Sequence, residues 1–201
     1  MRDRGQAYTL EAFVAALLVL SGVVFALQAT AVTPLSASTS NQHVGNQERA
    51  LADGLMRAAE ANGTLTEAVV DWNATTNTTD GRFVGVSPNE DAFSNAGPPN
   101  AFGRALNESF GDQQTAFNVV LRYRGTDGTL GSQTMVNMGT PSDDATVATR
   151  SVVLYDDTTL TTGGTVSAPG PAGNGTFYAP DAEPEGPLFN VVEVRVTVWR
   201  I

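Results

Sequence analysis

Few residues of this 201-residue chain have the types and spacings that catalysis requires. Cysteine is absent, which excludes thiol catalysis, disulfides and Cys-ligated metal sites. The one histidine, His43, is expected to be an ordinary surface or core residue. Acidic residues cluster at 143–144, 156–157 and 181–185, but they lack the dense spacing of a calcium loop and are typical of solvated turns. With no phosphate loop or nucleophile motif present, we predict no enzyme activity, no metal and no cofactor.

Glu11 has the most unusual setting of any ionisable residue. It stands at the entrance of an apolar segment, Leu10–Ala31, whose part from Ala12 to Leu27 carries no charge. As a helix, this segment is long enough to cross a hydrocarbon core of about 30 Å. A carboxylate in such a helix is costly and usually has a partner. Glu11 is therefore either a functional carboxylate or a solvated residue at the membrane interface.

The orientation of that helix follows from the charges that precede it. Arg2 and Arg4 lie in the short leader, and positive residues stay on the cytoplasmic side of a membrane. We therefore predict a single-pass membrane protein with its C-terminal body outside the cell.

The residues around Glu11 carry a family resemblance. The stretch from Arg4 to Glu11, RGQAYTLE, runs directly into the apolar helix, and it resembles the class III signal peptide of archaeal type IV pilins and archaellins. The resemblance implies that a prepilin peptidase cuts on the cytoplasmic side, near Gly5 or Gln6, and that the retained helix becomes the packing core of a filament. It also implies that Glu11 pairs with the terminal amine of a neighbouring subunit and sets axial register.

The cleavage bond stays open. A cut after Gly5 makes Glu11 the sixth mature residue, whereas the family more often has glutamate at the fifth. A cut after Gln6 restores the fifth position at a less typical bond.

Two other interpretations fit the same segment. Ala29-Thr30-Ala31 has the small-x-small pattern of a secretory cleavage site, although secretory apolar cores usually run about 7 to 15 residues and this one is longer. The segment could also be an uncleaved signal anchor. The filament interpretation adds a packing role for small residues, which let helices approach closely. These are Ala15, Ala16, Ser21, Gly22 and Ala26.

The charge composition limits the partners and indicates the source. There are 21 acidic and 11 basic residues, a net charge of −10, and every basic residue is arginine. This balance argues against a nucleic-acid-binding face. Abundant carboxylates without lysine favour a haloarchaeal protein, since molar salt shortens the screening length to about 3 Å and weakens the repulsion among carboxylates.

Glycosylation is the one modification that the sequence suggests. N-x-[ST] sequons predict sugar attachment on an exposed surface, and a Thr- and Asn-rich composition producing them by chance is the alternative. The sequons begin at Asn62, Asn73, Asn77, Asn107 and Asn174.

The order of elements predicts an α+β protein: a long N-terminal hydrophobic helix followed by an antiparallel sheet. We divide the chain into a leader (1–5), a hydrophobic transmembrane helix (6–33), an amphipathic helix (34–62) and a head domain (63–201). Pro34 should kink or interrupt the helix. Strands are predicted near 82–86, 116–124, 132–138, 148–155 and 188–201, and a short helix at 99–110. Residues 167–187 are predicted to form a Pro/Gly-rich loop, and their sequence has no packing pattern.

The amphipathic helix is predicted to bury one stripe of its surface. The members of that stripe are Val44, Gln47, Leu51, Leu55, Ala58 and Ala59.

These observations favour a major or minor subunit of a type IV pilus-like surface filament. It would have the membrane, a prepilin peptidase and other pilin subunits as partners, in a homo- or hetero-polymer, and a possible role in adhesion. The alternative is a membrane-anchored or secreted binding module with no filament role.

Overall fold

The computed structural model describes the backbone of residues 3–74, 81–111 and 114–201, and the side chains of 9–27, 45–74, 81–111 and 114–201. The chain divides into two units, Met1–Asn46 and Gln47–Ile201. Its architecture is α+β, as predicted: an apolar N-terminal helix comes first and antiparallel strands follow.

The first helix, α1, runs from Asp3 to Ala61. Its backbone stays helical through Pro34, so the predicted interruption there was wrong. A proline ring fixes φ near −65°, which suits a helix, and a chain can continue past it with the loss of one hydrogen bond. The amphipathic helix was predicted to end at residue 62, and α1 ends at Ala61. Gly63, just beyond it, takes the left-handed conformation with φ 80°, which is typical of a helix end.

The second unit contains the end of α1 and all remaining elements. The helices are α2 (Thr64–Val70) and α3 (Ala101–Phe110), and a small two-stranded sheet pairs β1 (Trp72–Asn73) with β2 (Arg82–Phe83). The main sheet contains β3 (Thr115–Arg124), β4 (Leu130–Asn137), β5 (Thr146–Tyr155) and β6 (Leu188–Arg200). Its strand order is β4-β3-β6-β5, and every pairing is antiparallel. The main-sheet strands were all predicted, whereas α2 and β1 were missed.

Alternation of apolar residues sets the face of each central strand. In β6, Val192, Val194, Val196 and Val198 are all at most 1% exposed, while the residues between them are partly exposed. In a strand, successive side chains point to opposite faces, so this valine row forms one wall of the core.

The buried face of α1 in the second unit differs from the predicted stripe. Ala52, Met56 and Ala59 are at most 4% exposed, whereas Leu51 is 42% exposed and Ala58 is also exposed. Of the predicted stripe, Ala59 is buried, Leu55 packs partly against the core, and the side chain of Val44 lies outside the described residues. Gln47 of the predicted stripe is exposed as well, and the structure buries Ala52 and Met56, which the prediction did not include.

The loop at 167–187 packs against the core of the second unit, although its sequence has no packing pattern. Its Phe177 and Tyr178 join an aromatic cluster with Trp72, in which the Trp72 and Tyr178 ring centroids are 5.1 Å apart. The Trp72 indole N–H donates to the Thr176 carbonyl at 2.9 Å. Edge-on ring pairs and a satisfied indole are favourable in a core, so this irregular segment is part of the folded unit.

Two arginines fasten α1 to the sheet within this unit. Arg150 of β5 lies 3.7 Å from the Asp53 carboxylate and 3.3 Å from that of Glu60. Arg200 at the end of β6 lies 2.7 Å from Glu48. These charged contacts flank the apolar contact made by Met56 and orient the helix on the sheet.

Candidate functional site

The most unusual surface of the molecule lies in the first unit. The span Thr9–Leu27 contains 19 residues with a mean hydropathy of 2.4, and none of it is buried within the protein. Its large apolar side chains are between 47% and 74% exposed, with Phe25 the most exposed and Val14 among the least. By length and composition this helix can cross a membrane, a property that a signal sequence shares.

Such exposure requires an apolar environment. Covering the exposed parts of these side chains would contribute about 1–2 kcal/mol each. The span has eleven large apolar side chains of this kind, so their burial is worth about 10–20 kcal/mol in total. Lipid or a second helix can supply that environment, whereas water cannot.

Helix geometry brings Glu11 onto one face with three of the predicted packing residues. At about 100° of rotation per residue, Glu11, Ala15, Gly22 and Ala26 fall within a narrow stripe of α1. A Cβ built on Gly22 would meet nothing within 4 Å, so the face is open to a close neighbour. Sequence analysis had identified these residues but had not predicted that they lie on the same face of the helix.

Two other predicted packing residues lie elsewhere on the helix. Ala16 lies about 110° from the centre of the stripe on one side, and Ser21 lies about 110° from it on the other side. The Ser21 hydroxyl donates to the Leu17 carbonyl at 2.7 Å, which satisfies it within its own helix. Neither residue shares the face that Glu11 occupies.

The predicted processing residues fall at the start of the same helix. Gly5 and Gln6 belong to the helical backbone of α1, and their side chains lie outside the described residues. Glu11 is exposed, and it forms no ion pair with any of the side chains that the structure describes.

The sequon asparagines differ in accessibility. Asn62, Asn73 and Asn174 are exposed, although the Asn62 side-chain oxygen accepts the Thr64 hydroxyl at 2.7 Å. Asn107 lies within α3 and is partly buried, and its side-chain oxygen accepts the Gly97 N–H at 2.9 Å. Asn77 lies outside the described residues. The structure therefore favours Asn73 and Asn174 as acceptors and disfavours Asn107.

A cavity that sequence reasoning missed opens in the second unit, where β3 and β6 meet the loop before β6. Its volume is about 420 Å³. Arg122, Arg124, Glu183 and Glu193 contribute its charged lining, and Leu130, Leu188 and Val191 its apolar lining. No single sequence motif could have indicated it, because the lining comes from four separate segments.

The floor of this cavity is structurally fixed. Asn190, which is fully buried, donates from its side-chain nitrogen to the carbonyls of Arg124 and Pro180, both at 2.8 Å. Its side-chain oxygen accepts the Arg124 N–H at 3.2 Å. The amide thereby ties the loop to the sheet.

Tyr178 is the most perturbed ionisable group in the described part of the chain. Burial of its ring, together with the nearby Tyr123 hydroxyl, raises the pKa of Tyr178 well above its usual value of 10.0. The Tyr178 hydroxyl donates to the Val69 carbonyl at 3.1 Å. A neutral phenol that donates to a backbone carbonyl joins α2 to the loop and has a structural role.

The acidic clusters do not form a metal centre among the residues described. No group of three His, Cys, Asp or Glu side chains is placed to hold an ion there. Residues 143–144 are exposed, as expected of solvated turns. His43 has its side chain outside the described range.

Comparison with known proteins gives one result. The profile of a family of unknown function, DUF7288, matches residues 4–198, which is nearly the whole chain. Neither a curated protein nor a solved structure matches it. Since the match includes both the apolar helix and the sheet, the chain belongs to the DUF7288 family.

Proposed function

We propose that this protein is a structural subunit, major or minor, of an archaeal type IV pilus-like surface filament, and that it assembles through its N-terminal helix. The observation that carries the proposal is the exposed apolar span Thr9–Leu27, on which Glu11 shares one face with Ala15, Gly22 and Ala26. A plain membrane anchor needs the apolar length alone. It has no need of a carboxylate aligned with small residues.

The stages of assembly follow from this helix. It first holds the subunit in the membrane, with Arg2 and Arg4 on the cytoplasmic side and the acidic head outside. A prepilin peptidase then removes the leader near Gly5 or Gln6, which creates a new positively charged terminus. Helices of neighbouring subunits afterwards replace the lipid around the span.

Glu11 sets the register of that packing. A carboxylate among apolar helices is strongly unfavourable unless an opposite charge meets it, and a neighbouring subunit's terminal amine would supply one. A helix that slides along its neighbour separates the two charges. The stripe of small residues that follows Glu11 lets the backbone of the neighbouring helix approach closely. One face of the helix therefore sets the axial register and also forms the packing contact.

The head is suited to an exposed, saline location. With a net charge of −10 and no lysine, its surface stays hydrated where salt screens repulsion over about 3 Å. The exposed sequon residues Asn73 and Asn174 would carry glycans on the outer surface of the filament. We therefore place the head outside a haloarchaeal cell.

The first test is the mature N-terminus, measured by mass spectrometry of protein from its native membrane. A terminus at Gln6 or Ala7 supports the proposal. A terminus at Val32 would mean that the helix is discarded, which excludes helix-mediated assembly. An intact leader would leave an anchored module without the processing that pilins require.

The second test concerns Glu11. We expect Glu11→Ala to prevent incorporation into filaments while leaving membrane insertion intact, because the apolar span is unchanged. Ser21→Ala is the matched control: it lies on another face of the helix and should assemble normally. Normal assembly of Glu11→Ala would remove the register role.

A binding module anchored by the same helix is the second candidate. The cavity of about 420 Å³, which is lined by both charged and apolar side chains, favours this candidate. Ligand sites are concave, and they combine an apolar lining with a few polar groups. Under this alternative, processing at Gly5 or Gln6 is absent and the protein stays in the membrane without forming filaments. The N-terminal mass therefore separates the two candidates.

A further inference from the structure

The cavity between β3 and β6 exists because these two strands part at one end of the main sheet. Their residues pair directly as far as Arg122 and Glu193. Beyond that pair, the backbone of Arg124 bonds to the side chain of Asn190, which accepts from the N–H at 3.2 Å and donates to the carbonyl at 2.8 Å. Paired strands lie about 4.8 Å apart, which leaves no room for a side chain between their backbones. The cavity is therefore built into the fold.

The charged lining on the two strands points away from the core. Glu193 stands between two buried valines of β6, so its side chain points to the opposite face of the sheet. Arg122 lies directly opposite Glu193, and Arg124 follows two residues later, so both arginines share that outer face. Because α1 packs on the core side, a ligand on the outer face leaves the contact between α1 and the sheet untouched.

Opposite charges line the cavity without neutralising one another. Arg122 and Arg124 are its cationic residues, and Glu183 and Glu193 are its anionic ones. In the described part of the chain, none of these four side chains forms an ion pair, although Arg122 and Glu193 are cross-strand neighbours. All four residues are at least partly exposed, so each is available to a charged group of a ligand.

The spacing of these charges fits a ligand that carries both signs. Arg124 and Glu193 occupy diagonal positions on the two strands, and the Cα atoms of such a pair are about 7–8 Å apart. An extended dipeptide spans about 7 Å between its terminal ammonium and carboxylate groups. A single α-amino acid holds its two charges much closer together. A ligand of dipeptide length can therefore meet both side chains at once.

The size and the apolar lining of the cavity agree with this length. Its volume of about 420 Å³ corresponds to about fourteen water molecules at about 30 Å³ each. Free leucine is too small to fill that space, whereas leucyl-leucine, with about seventeen non-hydrogen atoms, is of suitable size. Leu130 and Leu188 contribute apolar lining, and Leu130 is 79% exposed. Removing such surface from water is favourable, so apolar side chains suit the ligand.

We propose that the cavity binds a short zwitterionic peptide with apolar side chains. Arg124 holds its carboxylate, Glu193 holds its ammonium group, and Leu130 and Leu188 cover its side chains. A direct contact between charged groups is about 2.8 Å long, which is within the screening length of about 3 Å in molar salt, so both contacts persist in a saline medium. The site uses the head alone, and it goes beyond the proposed filament function without depending on it.

Isothermal titration calorimetry of the full chain in detergent and molar salt tests the proposal, with leucyl-leucine as the probe. We expect saturable binding of one peptide per chain. Acetyl-leucyl-leucine lacks the ammonium group and leucyl-leucine amide lacks the carboxylate, while both keep the apolar side chains. Because hydrogen bonds to charged groups contribute strongly to binding, either blocked peptide should bind about tenfold more weakly.

Two variants locate the bound charges. Arg124→Gln should weaken binding of leucyl-leucine about tenfold but leave binding of the amide unchanged, because the amide has no carboxylate for Arg124 to hold. Glu193→Gln should likewise weaken binding of leucyl-leucine and leave binding of the acetylated peptide unchanged. Such coupling between a change in the protein and a change in the ligand indicates a direct contact, which a merely structural role would not produce.

Arg195→Gln and Glu185→Gln are the matched controls. Arg195 lies on the outer face of β6, two residues beyond Glu193, and Glu185 lies in the loop before β6, but neither contributes to the lining of the cavity. Both controls should bind leucyl-leucine within about twofold of the parent, because exposed charges without direct contact contribute little. Urea unfolding followed by tryptophan fluorescence checks that each variant stays folded.

Each result decides the proposal. The absence of saturable binding to the parent chain would overturn it, as would equal affinity for the three peptides, a comparison that needs no variant. Parent-like binding of leucyl-leucine by both Arg124→Gln and Glu193→Gln would also overturn it. Leucyl-leucine should bind the Glu11→Ala chain as tightly as the parent, so failure of the filament and failure of the ligand site are separately visible.

Discussion

The contact between α1 and the head gives the sharpest quantitative prediction. Met56 is fully buried, whereas Leu51, five residues earlier in the same helix, is 42% exposed. Met56→Ala removes a buried side chain and leaves a cavity, which costs about 2–4 kcal/mol. Leu51→Ala removes a side chain that is already partly in water and introduces the best helix former, so its cost should be under about 1 kcal/mol.

The assays are urea unfolding and thermal unfolding of the full chain in detergent, both followed by tryptophan fluorescence. Both tryptophans, Trp72 and Trp199, are at most 5% exposed, so their emission should shift when the head unfolds. For a unit of this size, 1 kcal/mol corresponds to about 2–4 °C in Tm, so Met56→Ala should melt about 4–16 °C lower than the parent. Equal losses for the two variants, or a larger loss for Leu51→Ala, would refute the assigned helix face and support the leucine stripe instead.

Three further predictions rest on single contacts. Arg150→Met should lower the free energy of unfolding by about 1 kcal/mol or less, because the partners of Arg150 are partly exposed and such ion pairs contribute little. Repeating the urea titration in molar salt should remove most of the difference in stability between the variant and the parent. The pKa of Tyr178 is raised in the folded state, so its contribution to stability is complete below pH 10 and is lost as the pH rises through the folded-state pKa. Tyr178→Phe should therefore lose less stability at alkaline pH than the parent, as measured by urea denaturation between about pH 9 and 12. Mass spectrometry of native peptides should find glycans at Asn73 or Asn174 and an unmodified Asn107, whose side-chain oxygen is held by Gly97; a modified Asn107 would contradict this ranking.

The sequence predicted structure best where one hydrophobic pattern extends over many consecutive residues. Alternation predicted β3 and β6, and unbroken apolarity predicted the exposed span, because each pattern reflects a single environment along one element. The short helix predicted at 99–110 is confirmed by α3. Its first residue follows a capping asparagine, Asn100, whose side-chain oxygen accepts the Gly103 N–H at 3.0 Å.

Features built from distant segments escaped sequence reasoning. The aromatic cluster joins Trp72 to Tyr178, which are more than a hundred positions apart in the sequence. No pattern within 167–187 predicts that the aromatic rings of this loop pack against the core. The cavity beside Asn190 depends on strand order, which alternation cannot specify. The error over the helix stripe has a related cause, since contact with the sheet selected the face of Ala52 and Met56 over that of Leu51.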